Sequence, residues 1–335
     1  MSVIALRSFA LSLARRTARW AAISSAVVMA TAALAGGAAA QSYGFATLPP
    51  GTLNHTTASA VAKVLKEKAG MNVLVQPTAG DTAIIPMVNR GEAEIGITNI
   101  LEAVEAIEGS SKLGKQPNLR LIGSPHTFRG GFWVRKDSPM KTVADLKGKK
   151  VPLGYSAMLT IDRLARAILM TGGLTEKDVV PVLVPNVVRG ADDFVSGAAD
   201  MYFFAFGAPK VREVDSTVGG TRILEINDKG MDAARKIFAL GYLTPAKPSP
   251  FFVGVEKPMN VYAWDNLLIT NDKVSDDVVY KIIDTLVKNK ADLVAVQPAL
   301  QELSAAGMYK QYGLPYHSGA LKYFKEHKIE PKPVM

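Results

Sequence analysis

The chain has no cysteine among its 335 residues. That excludes disulfide staples, thiol nucleophiles, cysteine metal sites and the lipid-bearing cysteine of a bacterial lipoprotein. Stability must come from the core, and the length suffices for one or two domains with proper cores. Histidine is scarce. The four, His55, His126, His317 and His327, form no HxxxH or HExxH pair, so no metal site is expected. No run of 18 apolar residues occurs after the leader, so no later membrane span is expected. Polybasic patches are missing too. The net charge is +9; without the four arginines of the leader, 35 Lys and Arg face 30 Asp and Glu, or +5. That dispersed excess does not suit a nucleic-acid partner.

Residues 1–40 contain no acid. Arg7, Arg15, Arg16 and Arg19 precede a mildly apolar run from Ala21 to Leu34, and Ala38 to Ala40 supply small residues. This pattern predicts a secretory signal peptide cleaved after Ala40, hence a periplasmic mature chain. The Arg15 and Arg16 pair hints at twin-arginine export, but the residues after it are not apolar enough to carry that hint. The rest, with 48% hydrophobic and 21% charged residues overall, has the composition of a globular protein.

What is present is best read from Asp145 to Met170. A polar turn leads into the apolar run Val151 to Leu153, then Gly154, Tyr155 and Ser156. A helix follows with Leu159, Ile161, Leu164, Ala165, Ile168 and Leu169 at spacings of three and four. In open α/β sheets the loop after a strand binds small ligands, and the free N–H groups of the next helix point at them. Gly154 to Ser156 is therefore one expected lip of a ligand cleft. An earlier strand, loop and helix, with a loop from Thr47 to Asn54 and a helix from Ala58 to Lys68, supplies the other.

The same signals predict strands at Asn72–Val75, Glu94–Ile97, Leu119–Gly123 and Gly131–Val134, with helices at Asp81–Arg90, capped by Asp81 and either bent at Pro86 or starting late there, and at Leu101–Glu108. A second unit alternates strands at Val179–Val184, Asp200–Phe204 and Arg222–Ile226 with helices at Val187–Val195, Ala208–Asp215 and Met231–Leu240. The two units echo each other. The helix-to-strand step at Arg90 returns at Ser196, and Pro77 has a counterpart in Pro185, 106 and 108 residues on. The end of the chain predicts strands at Phe251–Val255 and Tyr262–Ile269. A long helix from Asp276 to Val296, capped by Ser275, and shorter ones at Leu300–Tyr309 and Ala320–His327 come after them. The expected class is α/β with two lobes: 41–136 plus 246–335, and 137–245. The chain crosses between them near Arg135–Pro139 and Tyr242–Pro250.

Gly154 to Met158 resembles the start of a nucleophile elbow, but Met158 stands where the second glycine belongs. Gly148, Lys149 and Lys150 lack the rest of a P-loop, and no GxGxxG follows a strand, so no cofactor is called for. The strand-end loops instead hold small, hydroxyl and amide residues: Gly51, Thr52, Leu53 and Asn54; Thr78 and Gly80; Thr98 and Asn99; Tyr155, Ser156 and Ala157; and Asn186. Phe206 follows another strand end. These groups donate hydrogen bonds without a nucleophile and base pair, which suits binding of a small solute better than turnover. Each also has an ordinary use in turns and caps.

Five segments together resemble the TAXI family, solute-binding subunits of tripartite ATP-independent periplasmic (TRAP) transporters. They are TLPPGTLN from Thr47, GEAEIG from Gly91, VRKDS from Val134, VADLKGKKV from Val143 and PYHSGA from Pro315. The resemblance implies a type II, Venus-flytrap periplasmic-binding-protein fold with a two-crossing hinge. It further implies capture of a small solute, a carboxylate or amino acid, and delivery to the TRAP membrane permease. Arg129, beside the expected hinge, is the cation to pair with a carboxylate; a salt bridge at the surface or between lobes is the competing use. Two rival functions remain open on the sequence: a secreted enzyme on the same scaffold, and the receptor of an ABC importer or a sensor system.

Overall fold

Three short apolar stretches near the start pair side by side because each is followed by a helix that covers the sheet. β1 (Ser42–Thr47) lies parallel to β2 (Asn72–Pro77) and to β3 (Ile95–Asn99). Between them run α1 (Leu53–Ala69) and α2 (Asp81–Arg90), and α3 (Ile100–Glu108) follows. Glycines in the left-handed region, Gly70 at φ 65° and Gly91 at φ 79°, end α1 and α2 and return N–H groups to the last turns. The structure is a computed structural model and describes residues 41–110 and 112–334. The expected leader, residues 1–40, lies outside them.

β4 (Leu119–Gly123) and β5 (Thr127–Arg135) follow as antiparallel partners of a later strand, β11 (Met259–Asn271). The second set comprises β6 (Lys150–Leu153), α4 (Leu159–Thr171), β7 (Val180–Leu183), α5 (Val187–Val195), β8 (Tyr202–Ala205), α6 (Pro209–Thr217) and β9 (Thr221–Ile223). β6 and β7 form their own parallel pair, while β8 and β9 join β5. α7 (Met231–Arg235) and β10 (Tyr242–Ala246) lead back to β11. The chain closes with α8 (Asp276–Lys288), α9 (Lys290–Val296), α10 (Ala305–Met308) and α11 (Ser318–Glu326).

β11 belongs to both parts of the main sheet. Its first half, from Met259 to Asp265, pairs with β10 and β5; its second half, from Asn266 to Asn271, pairs with β3 and β4. The path β2-β1-β3-β11-β5-β8 is therefore one hydrogen-bonded surface, and from Ser42 onward the chain is one compact unit. Two buried clusters support it. One lies under α1, α8 and α11, and a larger one runs through β5, α4 and the aromatic strand β8.

Four expectations are corrected. Asp81 is not a cap: Gly80 holds that position and Asp81 is buried in the first turn. Phe251–Val255 is no strand; Phe252 packs on Phe206 at 5.1 Å and the Val253 carbonyl accepts from Trp133 Nε1 at 2.9 Å, so the segment wraps instead of pairing. The long last helix breaks at Asn289, and its expected cap Ser275 makes no side-chain capping bond. The segments 231–240 and 300–309 keep only short helices, α7, a 3-10 turn at Pro298–Glu302 and α10.

Candidate functional site

The carboxyl ends of β1, β2 and β3 face the start of α4. Gly80 carries the closest approach. A β-carbon there would stand 1.8 Å from the Ala157 carbonyl oxygen, so the two backbones touch. The same carbonyl accepts from Thr82 Oγ1 at 2.9 Å. Further out, Arg163 of α4 is paired with Glu105 of α3. The loop after β2 and the loop after β6 thus meet face to face.

Two cavities open beside this contact. The inner one is apolar. Leu48, Thr52 and Leu53 line it from one side, Met158, Ile161 and Val187 from the other, and Phe128, Phe203, Phe204 and Ala205 form the floor. Its room for the centre of a water-sized sphere is only ≈ 20 Å³, enough for about one water. The outer one measures ≈ 280 Å³ by the same gauge. Thr82, Glu102 and Glu105 line it on one wall, and Leu159, Thr160 and Arg163 on the other.

The expected site residues divide. Thr52 and Leu53 reach the inner cavity; Gly51, at φ 88°, gives its carbonyl to Lys210 N at 3.1 Å across the gap. Thr52 also caps α1, accepting from His55 N at 3.2 Å, so Leu53 and Asn54 are helical and not loop. Asn54 is tied to Asn266 Nδ2 at 2.8 Å. Thr78 Oγ1 lies 3.1 Å from Thr47 O and 3.0 Å from Gly80 O, which shapes the turn that presents Gly80. Thr98 and Asn99 are buried around Glu102. Ala157 makes the contact just described, and Ser156 beside it is exposed.

Other expected residues have different duties. Tyr155 is fully buried, its hydroxyl has no hydrogen-bond partner among the described residues, and burial pushes its pKa above the usual phenol range. It packs towards Gly190 and away from the loop contact. Asn186 caps α5 by accepting from Arg189 N at 3.0 Å. Phe206 packs on Trp133 at 4.7 Å and does not line either cavity. Arg129 is paired with Glu302 at 2.7 Å, so its charge is already answered.

Sequence reasoning missed the aromatic floor and the acids. The YFFAF run from Tyr202 to Phe206 was the signal for the floor. Asn99 with Glu102 three residues on is a helix-start spacing that also places Glu102 at the cavity. Among the described residues no group of three or more His, Asp or Glu is placed to hold a metal ion.

A family model described as the NMT1-like family matches residues 45–327. The chain belongs to the NMT1-like family. Three solved structures are similar to this NMT1-like chain. One is described as a periplasmic transporter, at 16% identity and TM-score 0.58, covering 87% of this chain and 94% of its own. PhnD1 from Prochlorococcus marinus (MIT 9301), in complex with methylphosphonate, matches at 12% identity and TM-score 0.53, covering 86% and 98%. The third is the putative periplasmic sulfonate-binding protein SsuA of a sulfonate ABC transporter from Methylobacillus flagellatus KT. It matches at 20% identity and TM-score 0.46, covering 85% and 78%. The fold of the NMT1-like chain is the two-lobed α/β fold of periplasmic binding proteins.

Proposed function

We propose that this chain is an extracytoplasmic solute-binding protein that closes two lobes, 41–136 with 246–335 and 137–245, on a small solute and presents it to a membrane importer. The observation that carries this is the contact of Gly80 with the Ala157 carbonyl, with a cavity on either side. A closed gap at strand ends is what a receptor of this kind needs, because closure is driven by tighter binding to the closed form. The methylphosphonate held by the similar PhnD1 supports a small solute.

The importer is the finer part of the proposal. The TRAP permease rests on the motif resemblance. None of the similar structures named above is described as a TRAP receptor, and SsuA is described as part of an ABC transporter. Uptake into vesicles carrying the candidate permease separates the two: ATP drives an ABC importer, a sodium gradient a TRAP permease. An enzyme on this scaffold would need a base at Ser156, Tyr155 or Asp162. Tyr155 is buried, and Asp162 is held by Gly154 N at 2.5 Å and Arg166 Nε at 2.7 Å.

A thermal-shift panel of carboxylates, amino acids and phosphonates tests the receptor. A solute at ~100 times its Kd should stabilise the fold by about 2.7 kcal/mol. Folded protein that responds to no member, and that carries no co-purified solute in native mass spectrometry, sinks the proposal.

A further inference from the structure

The outer cavity ends on the Glu102 carboxyl with that of Asp81 behind it, and among the described residues no cation pairs with either. Glu102 lines it yet is only 4% exposed, and Asp81, behind it, is 1% exposed. Thr98 Oγ1 stands 3.3 Å from Asp81 Oδ1 and 3.3 Å from Glu102 Oε2, but a hydroxyl has one proton and serves one of them at a time. Asn99 Nδ2 reaches Glu102 Oε2 at 3.2 Å. Asp81 Oδ2 is buried with no hydrogen-bond partner among the described residues. The cations nearby are otherwise engaged or do not pair with these acids. Arg163 of α4 holds Glu105 of α3, Arg166 holds Asp162, and Lys112 lines the cavity without an ion pair to Asp81 or Glu102 among the described residues.

Burying two carboxylates without a cation is costly, and the usual answer is a retained proton. Burial raises both, Asp81 to about 7 and Glu102 well above the ordinary carboxylate range, and for Glu102 the neighbouring Asp81 charge adds to the rise. A purely structural role would be met as well by an amide or an apolar pair. Glu102 instead stands on the wall of the larger cavity, with Asp81 buried directly behind it and linked to it through Thr98. A second anion would be repelled there. A positively charged nitrogen would supply the missing donors.

We propose that Asp81, Thr98 and Glu102 form the acceptor cluster that recognises a protonated nitrogen, an amine or an amidine, on the solute the cleft encloses. This rests on the solute-binding proposal and narrows it to solutes that carry a cation, such as an amino acid, against a plain organic acid. In the empty cleft a proton sits on the carboxyl pair. When the solute enters, that O–H proton leaves to the buffer, and N–H donors of the cation take its place.

Matched probes test this on the mature chain: glutamate against 2-hydroxyglutarate, leucine against 2-hydroxyisocaproate, and agmatine. Affinity is measured by calorimetry in two buffers of different ionisation enthalpy. The nitrogen-bearing member is expected to bind roughly tenfold or more tightly, as hydrogen bonds to a charged group are worth. Below the raised pKa of the pair its binding should release up to one proton, and Glu102→Gln should lose about the same factor. If that variant does not fold, proton release by the unmutated chain decides. Equal binding of the hydroxy analogues, absence of proton release, or a co-purified solute without a basic nitrogen overturns the inference and leaves the receptor standing. No binding by any probe and no co-purified solute overturns both.

Discussion

Gly80 is needed for its lack of a side chain and not for its backbone freedom. Its φ of 174° is extended and open to any residue, so Gly80→Ala adds no strain of its own. The methyl would occupy the place of the Ala157 carbonyl only when the loops meet. The substitution should therefore leave the melting temperature of the solute-free protein unchanged or higher, while weakening solute binding by roughly tenfold or more, since a close contact must open. Titration of the solute found in the panel checks both halves. Two buried ionisable groups pull stability in opposite directions with pH. His126, beside Thr57 Oγ1 at 3.3 Å, is lowered to about 4 by burial. The unfolded chain takes up that proton first as pH falls below the ordinary 6.5, so stability drops from there towards about 4. Asp81 is raised from 3.8 to about 7, so its contribution is whole below 3.8 and is lost as pH rises through 7. Asp81→Asn should accordingly raise the melting temperature above neutral pH and have little effect in acid, as melting curves across that range would show. A flat difference between the two proteins would contradict the burial argument.

At the scale of elements, α4 and α5 were legible because their apolar spacing and end residues agree. α5 spans Val187–Val195 in both sequence and structure, with Asn186 as its cap. α1 was placed too late. Thr52 caps it six residues before the apolar stripe begins at Ala58, and that cap turns Leu53 and Asn54 from loop into helix. Thr52→Ala should cost about 1 kcal/mol in denaturant melts, with a further loss of solute affinity because Thr52 also lines the inner cavity. The segment 251–255 misled because Phe251, Phe252 and Val253 have strand propensity, while the fold uses them to cover Phe206 and Trp133. The candidate site was half legible. Glycine and hydroxyl residues in strand-end loops announce a turn that something can approach. Glu102 and Asp81 sit inside helices, where an acid normally reads as solvated surface, and only three-dimensional placement shows them buried. Arg129 was legible as a cation but not as one already paired, because Glu302 lies 173 positions away in the chain.

For the whole molecule, the two halves of the main sheet share one strand, β11. Opening the cleft cannot pull β11 from either half without breaking ladders to β3 or β5. Amides of β11 should stay protected from hydrogen exchange in the solute-free protein, while those of residues 78–82 and 156–160 become protected only on solute addition. Uniform protection of both loops without solute would mean that the cleft does not open.

β3 meets Asn266 to Ile269 across a gap of about 170 residues in the chain. Until that late segment emerges from the ribosome, the third strand presents a bare edge. The amino-terminal part of the sheet is thus the first to be synthesised and among the last to be completed, which makes carboxyl-terminal truncation a threat to both ends.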